Sequence, residues 1–263
     1  MSTLVLKSTS TIKNPRFGKL PDLDTGLRFA LDARELNLSN GAEVSRWVAS
    51  RGIGNHAEKV FSQKNSNHNY PVFDNTAGRN SVKFSGNEQL MNDNQDYFVG
   101  SASYIVVGKC NNLAPAKNGV ARIFCGDIGD KTDGMNAGNT ADQWQQVAPF
   151  NNGIIMMTGS TTQGTSRAMG DTLAFGTDWF VGVFVFDGEN SKMLSSLSDM
   201  IVKQPKLVHS RQDRVGMGIS LINNDVTTSG FDGYISYLAQ YERALTDTEM
   251  KTAIEYFKSE FNI

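Results

Sequence analysis

Residues 231–249 read Phe231-Asp232-Gly233-Tyr234-Ile235-Ser236-Tyr237-Leu238-Ala239-Gln240-Tyr241-Glu242-Arg243-Ala244-Leu245-Thr246-Asp247-Thr248-Glu249, and their reading decides the fold. Asp232-Gly233 signals a turn, and the alternating run from Tyr234 to Ala239 signals a strand leaving it. A short polar link leads to a marked helix start. Thr246 is placed to cap it, and Glu249, three residues on, completes a capping box. Leu245 and Met250 occupy the two positions of a hydrophobic staple. Met250, Ala253, Ile254, Phe257 and Phe261 then recur at helical spacing, with Lys251, Glu255 and Lys258 facing away. The chain therefore ends in one strand that closes a sheet and one amphipathic helix packed beside it.

Working outward, the pattern is β nearly throughout from Gly26. Leu27 to Ala33 alternates, with Leu27, Phe29 and Leu31 on one side, and Val44 to Val48 is a second short strand. The Asn/His/Ser/Gly-rich stretch from Arg51 to Asn69 reads as loop, with one apolar point at Val60-Phe61. Ser81 to Gly86 and Gln89 to Met91 follow. Tyr104 to Gly108 has no alternation, which predicts a strand buried on both faces, and Ala121 to Cys125 is placed beside it. Gly153 to Thr158 and Phe180 to Phe186 are further strands. The second ends at Asp187-Gly188-Glu189-Asn190, a hairpin signal, from which Lys192 to Ser195 returns. Val215 to Ile219 and Tyr234 to Ala239 complete the set. Many short strands, 25 glycines and one helix predict an all-β fold: a two-sheet antiparallel β-sandwich with a short C-terminal α-helix. No internal repeat or linker breaks residues 26–263, so they form one domain behind a polar arm, 1–25, that carries Pro15 and Pro21. That arm is either a loosely packed end or an anchor to a partner surface.

Four blocks in order carry a family resemblance. Leu27 to Asp32 is followed by Val44-Ser45-Arg46-Trp47, and Ala77 to Gly86 leads into Phe84-Ser85-Gly86. Asp178-Trp179 opens an alternating strand that closes on Asp187-Gly188, and the closing block is the one quoted first. Together, over about residues 26–263, they resemble the concanavalin A-like, laminin-G-like jelly roll. The resemblance implies that Trp47 and Trp179 are packing residues. As a free-standing Asn/Gly/Thr-rich domain behind a short arm, the chain also looks like the surface proteins of tailed-bacteriophage virions. That likeness implies head decoration or tail-fibre attachment, assembly onto other virion proteins through the arm, host-surface glycans as a ligand, and location on a virion made in the host cytoplasm. A cellular lectin-like carbohydrate-binding module is the alternative.

Composition excludes other classes. Net charge is -2 over 263 residues with the signs interspersed, which gives no footprint for nucleic acid. No apolar run approaches the ~20 residues of a membrane span. Met1 to Lys7 lacks the long apolar stretch of a secretory signal, so folding in a reducing cytosol is expected. There, Cys110 and Cys125 favour two buried free thiols over a disulfide, which remains open if their strands are neighbours.

The same residues argue against catalysis. Glucanases of this jelly roll carry E-x-D-x-x-E or E-x-D-x-E on one strand, where alternation sets two carboxylates on one face. None of Glu35, Glu43, Glu58, Glu88, Glu189, Glu242, Glu249, Glu255 and Glu260 has an acid two residues on. His56 and His68 fall in the Asn-rich loop and His209 precedes a charged turn, with no paired-histidine, G-x-S-x-G or phosphate-loop pattern. The expectation is a protein that is not an enzyme. Calcium is the one cofactor to weigh: Asp127, Asp130 and Asp133 share a loop, but self-bonded turns explain them more simply than an ion needing six to eight oxygens. For sugar binding the requirement is aromatic faces ringed by amides and carboxylates. Trp144 stands in a polar run with Asp142 and Gln146, and Tyr70 and Tyr97 are comparable loop aromatics. These five residues form the expected ligand-facing edge, with a Trp closing the sandwich rim as the other reading.

Overall fold

A computed structural model of the chain describes residues 23–52, 60–62, 69–76, 78–92, 98–113, 122–127, 143–150, 152–160, 165–207, 211–212, 214–218 and 230–263. In chain order the first strands are Leu27–Asp32 (β1), Arg46–Val48 (β2), Val60–Ser62 (β3), Val72–Asp74 (β4), Ser81–Ser85 (β5), Leu90–Asn92 (β6) and Phe98–Val99 (β7). Then come Ala102–Cys110 (β8), Arg122–Asp127 (β9), Gln143–Phe150 (β10), Gly153–Ser160 (β11), Thr165–Met169 (β12) and Leu173–Ala174 (β13). Trp179–Phe186 (β14), Lys192–Ser195 (β15), Ser198–Lys203 (β16), Arg211–Gln212 (β17), Arg214–Gly218 (β18) and Asp232–Tyr241 (β19) lead to the helix Asp247–Phe261 (α1). One sheet runs β16-β15-β14-β8-β19-β5-β4 with β1 on β19, and the other runs β12-β11-β10-β9-β18-β6-β3-β2 with β13 on β11. Their pairings are antiparallel throughout.

The two sheets enclose one core. Phe29, Tyr104, Phe180, Phe184 and Phe186 of the first sheet meet Trp47, Phe124, Val147, Met156 and Met217 of the second. Tyr104 stacks on Phe124 with ring centroids 4.1 Å apart. Fully burying one such side chain contributes roughly 2 kcal/mol. The first sheet buries its outer face as well. Ile105, Val107, Val181, Val183, Val185 and Tyr237 pack under Met250, Ala253, Ile254, Phe257 and Phe261 of α1. Two apolar faces account for the lack of alternation in β8, and β14 is buried on both faces too, so the molecule has three layers: helix, sheet, sheet.

The helix start follows its sequence. Thr246 accepts from the Glu249 amide and Glu249 reaches back to the Thr246 amide, while Leu245 and Met250 are fully buried. Arg243 donates to both Glu249 oxygens, at 3.0 and 2.7 Å, and to the Thr25 carbonyl at 2.8 Å. Ser103 fixes the link by donating to the Arg243 carbonyl at 2.7 Å and accepting from the Leu245 amide at 3.0 Å. Leu23 is buried in the same outer cluster. The remainder of the proposed arm, 1–22, lies outside the described residues, as do His56, His68 and His209.

Several expectations are corrected. Asp232-Gly233 is not a turn: both residues open β19, and Gly233 pairs with Cys110 and Phe84. The strand at Ala121 to Cys125 does not lie beside β8. As β9 it sits in the opposite sheet between β10 and β18, because Phe124 meets Tyr104 across the core rather than alongside it. Val60-Phe61 belongs to a strand of the second sheet, not a loop. Cys110, in agreement with the favoured reading, is a buried free thiol in the first sheet, and Cys125 belongs to the second, so no disulfide joins them.

Candidate functional site

Strand alternation places one row of side chains across the first sheet where the helix cover stops. Register runs from Trp179 to Lys109, from Lys109 to Tyr234, from Tyr234 to Lys83, and from Lys83 to Val72. Each lies on the outer face, because its neighbours Phe180, Cys110, Ile235, Phe84 and Phe73 point into the core. The adjacent row, Val181, Val107 and Tyr237, is under α1. Past it the helix ends at Asn262, whose left-handed backbone (φ 53°, ψ 53°) turns the chain away. The row is consequently half-buried rather than covered.

The row has a definite chemistry. Trp179 and Tyr234 hold their rings 5.9 Å apart at 42°. The Arg79 guanidinium lies 4.5 Å from the centre of the Trp179 ring, and Lys83 Nζ lies 6.0 Å from that of Tyr234. Lys109 stands between the two rings in register. Arg79 Nη2 donates to the Asn262 carbonyl at 3.5 Å, while its Nε and Nη1 are buried without a hydrogen-bond partner. Burial lowers the Arg79 pKa from its ordinary value, and among the described residues no carboxylate offsets that loss. Of the acids at neighbouring strand positions, Asp232 accepts from Asn111 Nδ2 at 2.9 Å and Asp74 from the Thr76 amide and hydroxyl at 2.8 and 2.9 Å; Asp178, beside Trp179 in sequence, is exposed. Two aromatic faces ringed by cationic donors form a platform for a flat, acceptor-bearing ligand.

The sequence did not point here. Trp179 was expected in the core and is instead half-exposed on the outer face, whereas Trp47 is in the core as expected. The signal that could have found it is parity: Trp179 shares a face with Val181, Val183 and Val185, opposite Phe180, Phe184 and Phe186. What parity does not tell is how far along that face the helix reaches.

Of the expected ligand-facing residues, Asp142 and Tyr97 lie outside the described residues. So does the side chain of Trp144, although its backbone is in β10, in register with Asp127 of β9 and Gly159 of β11. Gln146 is 1% exposed, its Nε2 3.5 Å from Met157 Sδ, so it does not face solvent. Tyr70 is exposed just before β4 of the other sheet, and the structure does not bring it to β10. For calcium, Asp130 and Asp133 are outside the described residues and Asp127 is placed by its backbone in β9. Among the described residues there is no cluster of three metal-ligating side chains. A groove of about 290 Å³ between α1 and the β15–β16 hairpin is lined by Ser195, Ser198, Asp199, Lys251, Ile254 and Glu255 and offers no aromatic face.

No family model matches the chain, and no curated protein matches it. Among solved structures it is similar to domain 4 of AbnA, a GH43 extracellular arabinanase from Geobacillus stearothermophilus, in complex with arabinotriose. That match has 14% identity and a TM-score of 0.58 over 88% of this chain and 99% of the other. An arabinofuranosidase complexed with arabinofuranosyl-α-1,2-xylobiose matches at 10% identity and TM-score 0.55, over 81% of this chain and 50% of that one. Trypanosoma rangeli sialidase matches at 11% identity and TM-score 0.50, over 89% of this chain and 33% of that one. At such identities the likeness establishes the fold, a β-sandwich of jelly-roll type. No helix among the described residues is long and apolar enough to cross a membrane.

Proposed function

We propose that this chain is a lectin-like carbohydrate-binding domain without catalytic activity, and that Trp179 and Tyr234 form its sugar platform. The observation that carries the reading is the partly exposed aromatic pair on the outer face of the first sheet, just beyond the strip that the helix covers. Rings only partly covered there keep surface for stacking. The arabinanase domain of similar fold, solved with arabinotriose, supplies a precedent for sugar on this scaffold. Absence of a paired-carboxylate motif favours binding over hydrolysis.

Display on a tailed-phage particle, as head decoration or tail-fibre attachment, is a second setting for the same activity. It is favoured by the polar Pro15/Pro21 arm of residues 1–25, suited to tethering a binding domain to other virion proteins. Deleting residues 1–22 and assaying incorporation into particles separates that setting from a cellular one.

The direct test is a glycan array followed by calorimetry, with arabinotriose among the probes. Trp179→Ala is expected to weaken binding at least about tenfold, the loss of one stacking contact worth about 1.4 kcal/mol, while a cooperative urea transition at a lower midpoint shows that the fold is kept. Full binding by a folded Trp179→Ala protein would remove the platform; a silent array would remove the function.

A further inference from the structure

Resting on the carbohydrate-binding reading, we propose that the preferred ligand is an acidic glycan, whose carboxylate or sulfate groups are held by Lys83 and Lys109 beside the Trp179–Tyr234 platform, with Arg79 setting the charge at its edge.

Three observations lead to this class. The first concerns pairing. Elsewhere in the described structure Arg28, Arg34, Arg51, Lys192 and Arg243 each have a carboxylate partner. Among the described residues Lys83, Lys109 and Arg79 have none; Arg46, Lys203 and Lys251 also lack one, but it is the first three that border the Trp179–Tyr234 pair. An anionic ligand supplies the counter-charge that these three lack.

The second is donor and acceptor character. Sugar hydroxyls need acceptors as well as donors, and amides or carboxylates supply them. The charged groups of this row are donors alone: an ammonium carries three N–H donors and a guanidinium five, with no acceptor on either. The neighbouring acids on the strands, Asp232 and Asp74, already accept from Asn111 and Thr76. Such a rim matches ligand groups that only accept, which carboxylates and sulfates do.

The third is spacing. Lys83 and Lys109 flank Tyr234 on the strands either side of it, so their backbones stand roughly 10 Å apart at the usual strand separation. A glycan lying across the strands and carrying an acid on more than one sugar can meet both while its rings rest on Tyr234 and Trp179.

A glycan panel with matched pairs tests this: uronic, sialylated and sulfated oligosaccharides, each beside its uncharged counterpart, with an oligothymidylate as an arm for nucleic acid. The full chain is expected to bind at least one acidic member at least about tenfold more tightly than its neutral counterpart. That preference should shrink as salt rises past about 0.2 M, where charges are screened within several ångströms. The double variant Lys83→Gln/Lys109→Gln is expected to bring the ratio toward one, while Lys251→Gln, on the exposed side of α1, leaves it unchanged. Neutral members bound as tightly as acidic ones, with no effect of the double variant, would overturn acid selectivity and leave carbohydrate binding standing. No member bound at all would overturn both. Oligothymidylate bound in preference to every glycan would assign the row to single-stranded nucleic acid.

Discussion

Gly233 shows how a single residue sets the close approach of two strands. The Phe231-Asp232-Gly233 step reads as a turn, because Asp-Gly is a turn dipeptide, but Gly233 lies in extended backbone between β8 and β5. A Cβ there would run into the Lys109 carbonyl and the Phe231 ring. Gly233 is required by contact, not by a left-handed conformation. Gly233→Ala is therefore expected to destabilise by about 2 kcal/mol, as overpacking does, lowering the urea midpoint with the slope unchanged. A variant with wild-type midpoint would show that the strands can part at no cost. Trp179 has the same lesson. In a strand apolar on both faces, sequence tells that its two sides differ, but the extent of cover on each depends on a helix seventy residues further along. Trp47 was legible as core and Trp179 was not, for that reason.

At the level of elements, the helix was legible because its signals are local. Thr246, Glu249, Leu245 and Met250 lie within six residues, and each makes the contact its position implies. The latch through Arg243 was not legible, since it ties Thr25 and Glu249 to one guanidinium across the chain. β10 was missed for a related reason: Gln145 and Gln146 in its polar start are buried by tertiary packing that propensity does not report. The latch carries a pH dependence. Hydrogen bonding from Arg243, aided by the Thr246 cap, lowers the Glu249 pKa from 4.5 to about 2. A carboxylate held below its unfolded value contributes stability that is full above pH 4.5 and is lost as pH falls toward 2. Glu249→Gln should accordingly cost about 1 kcal/mol at pH 7, a Tm decrease of roughly 2–4 °C. The gap from wild type should close near pH 2. A gap independent of pH would mean that the charge of Glu249 does no work in the latch.

For the whole molecule, sequence conveyed the class and not the assembly. Alternating strands and one capped helix specify a sandwich, because both sheets need one dry face and the helix needs one stripe. Which strand enters which sheet is settled by long-range packing, and β9 went to the sheet opposite β8 despite being next in the strand-like sequence. Cys110 reads out this layered packing. It ends β8 in the first sheet with no exposed surface, and burial, with Asp232 nearby, pushes its thiol up to about 12. At pH 8 it is therefore neither ionised nor reachable while the layers are together. Alkylation mapped to Cys110 by peptide mass should stay near zero in native buffer and rise along the same urea curve as fluorescence. If unfolding is one cooperative event, the two midpoints coincide. Labelling that precedes the fluorescence change would show that the β8 end of the first sheet opens before the core does, and that the layers do not unfold as a unit.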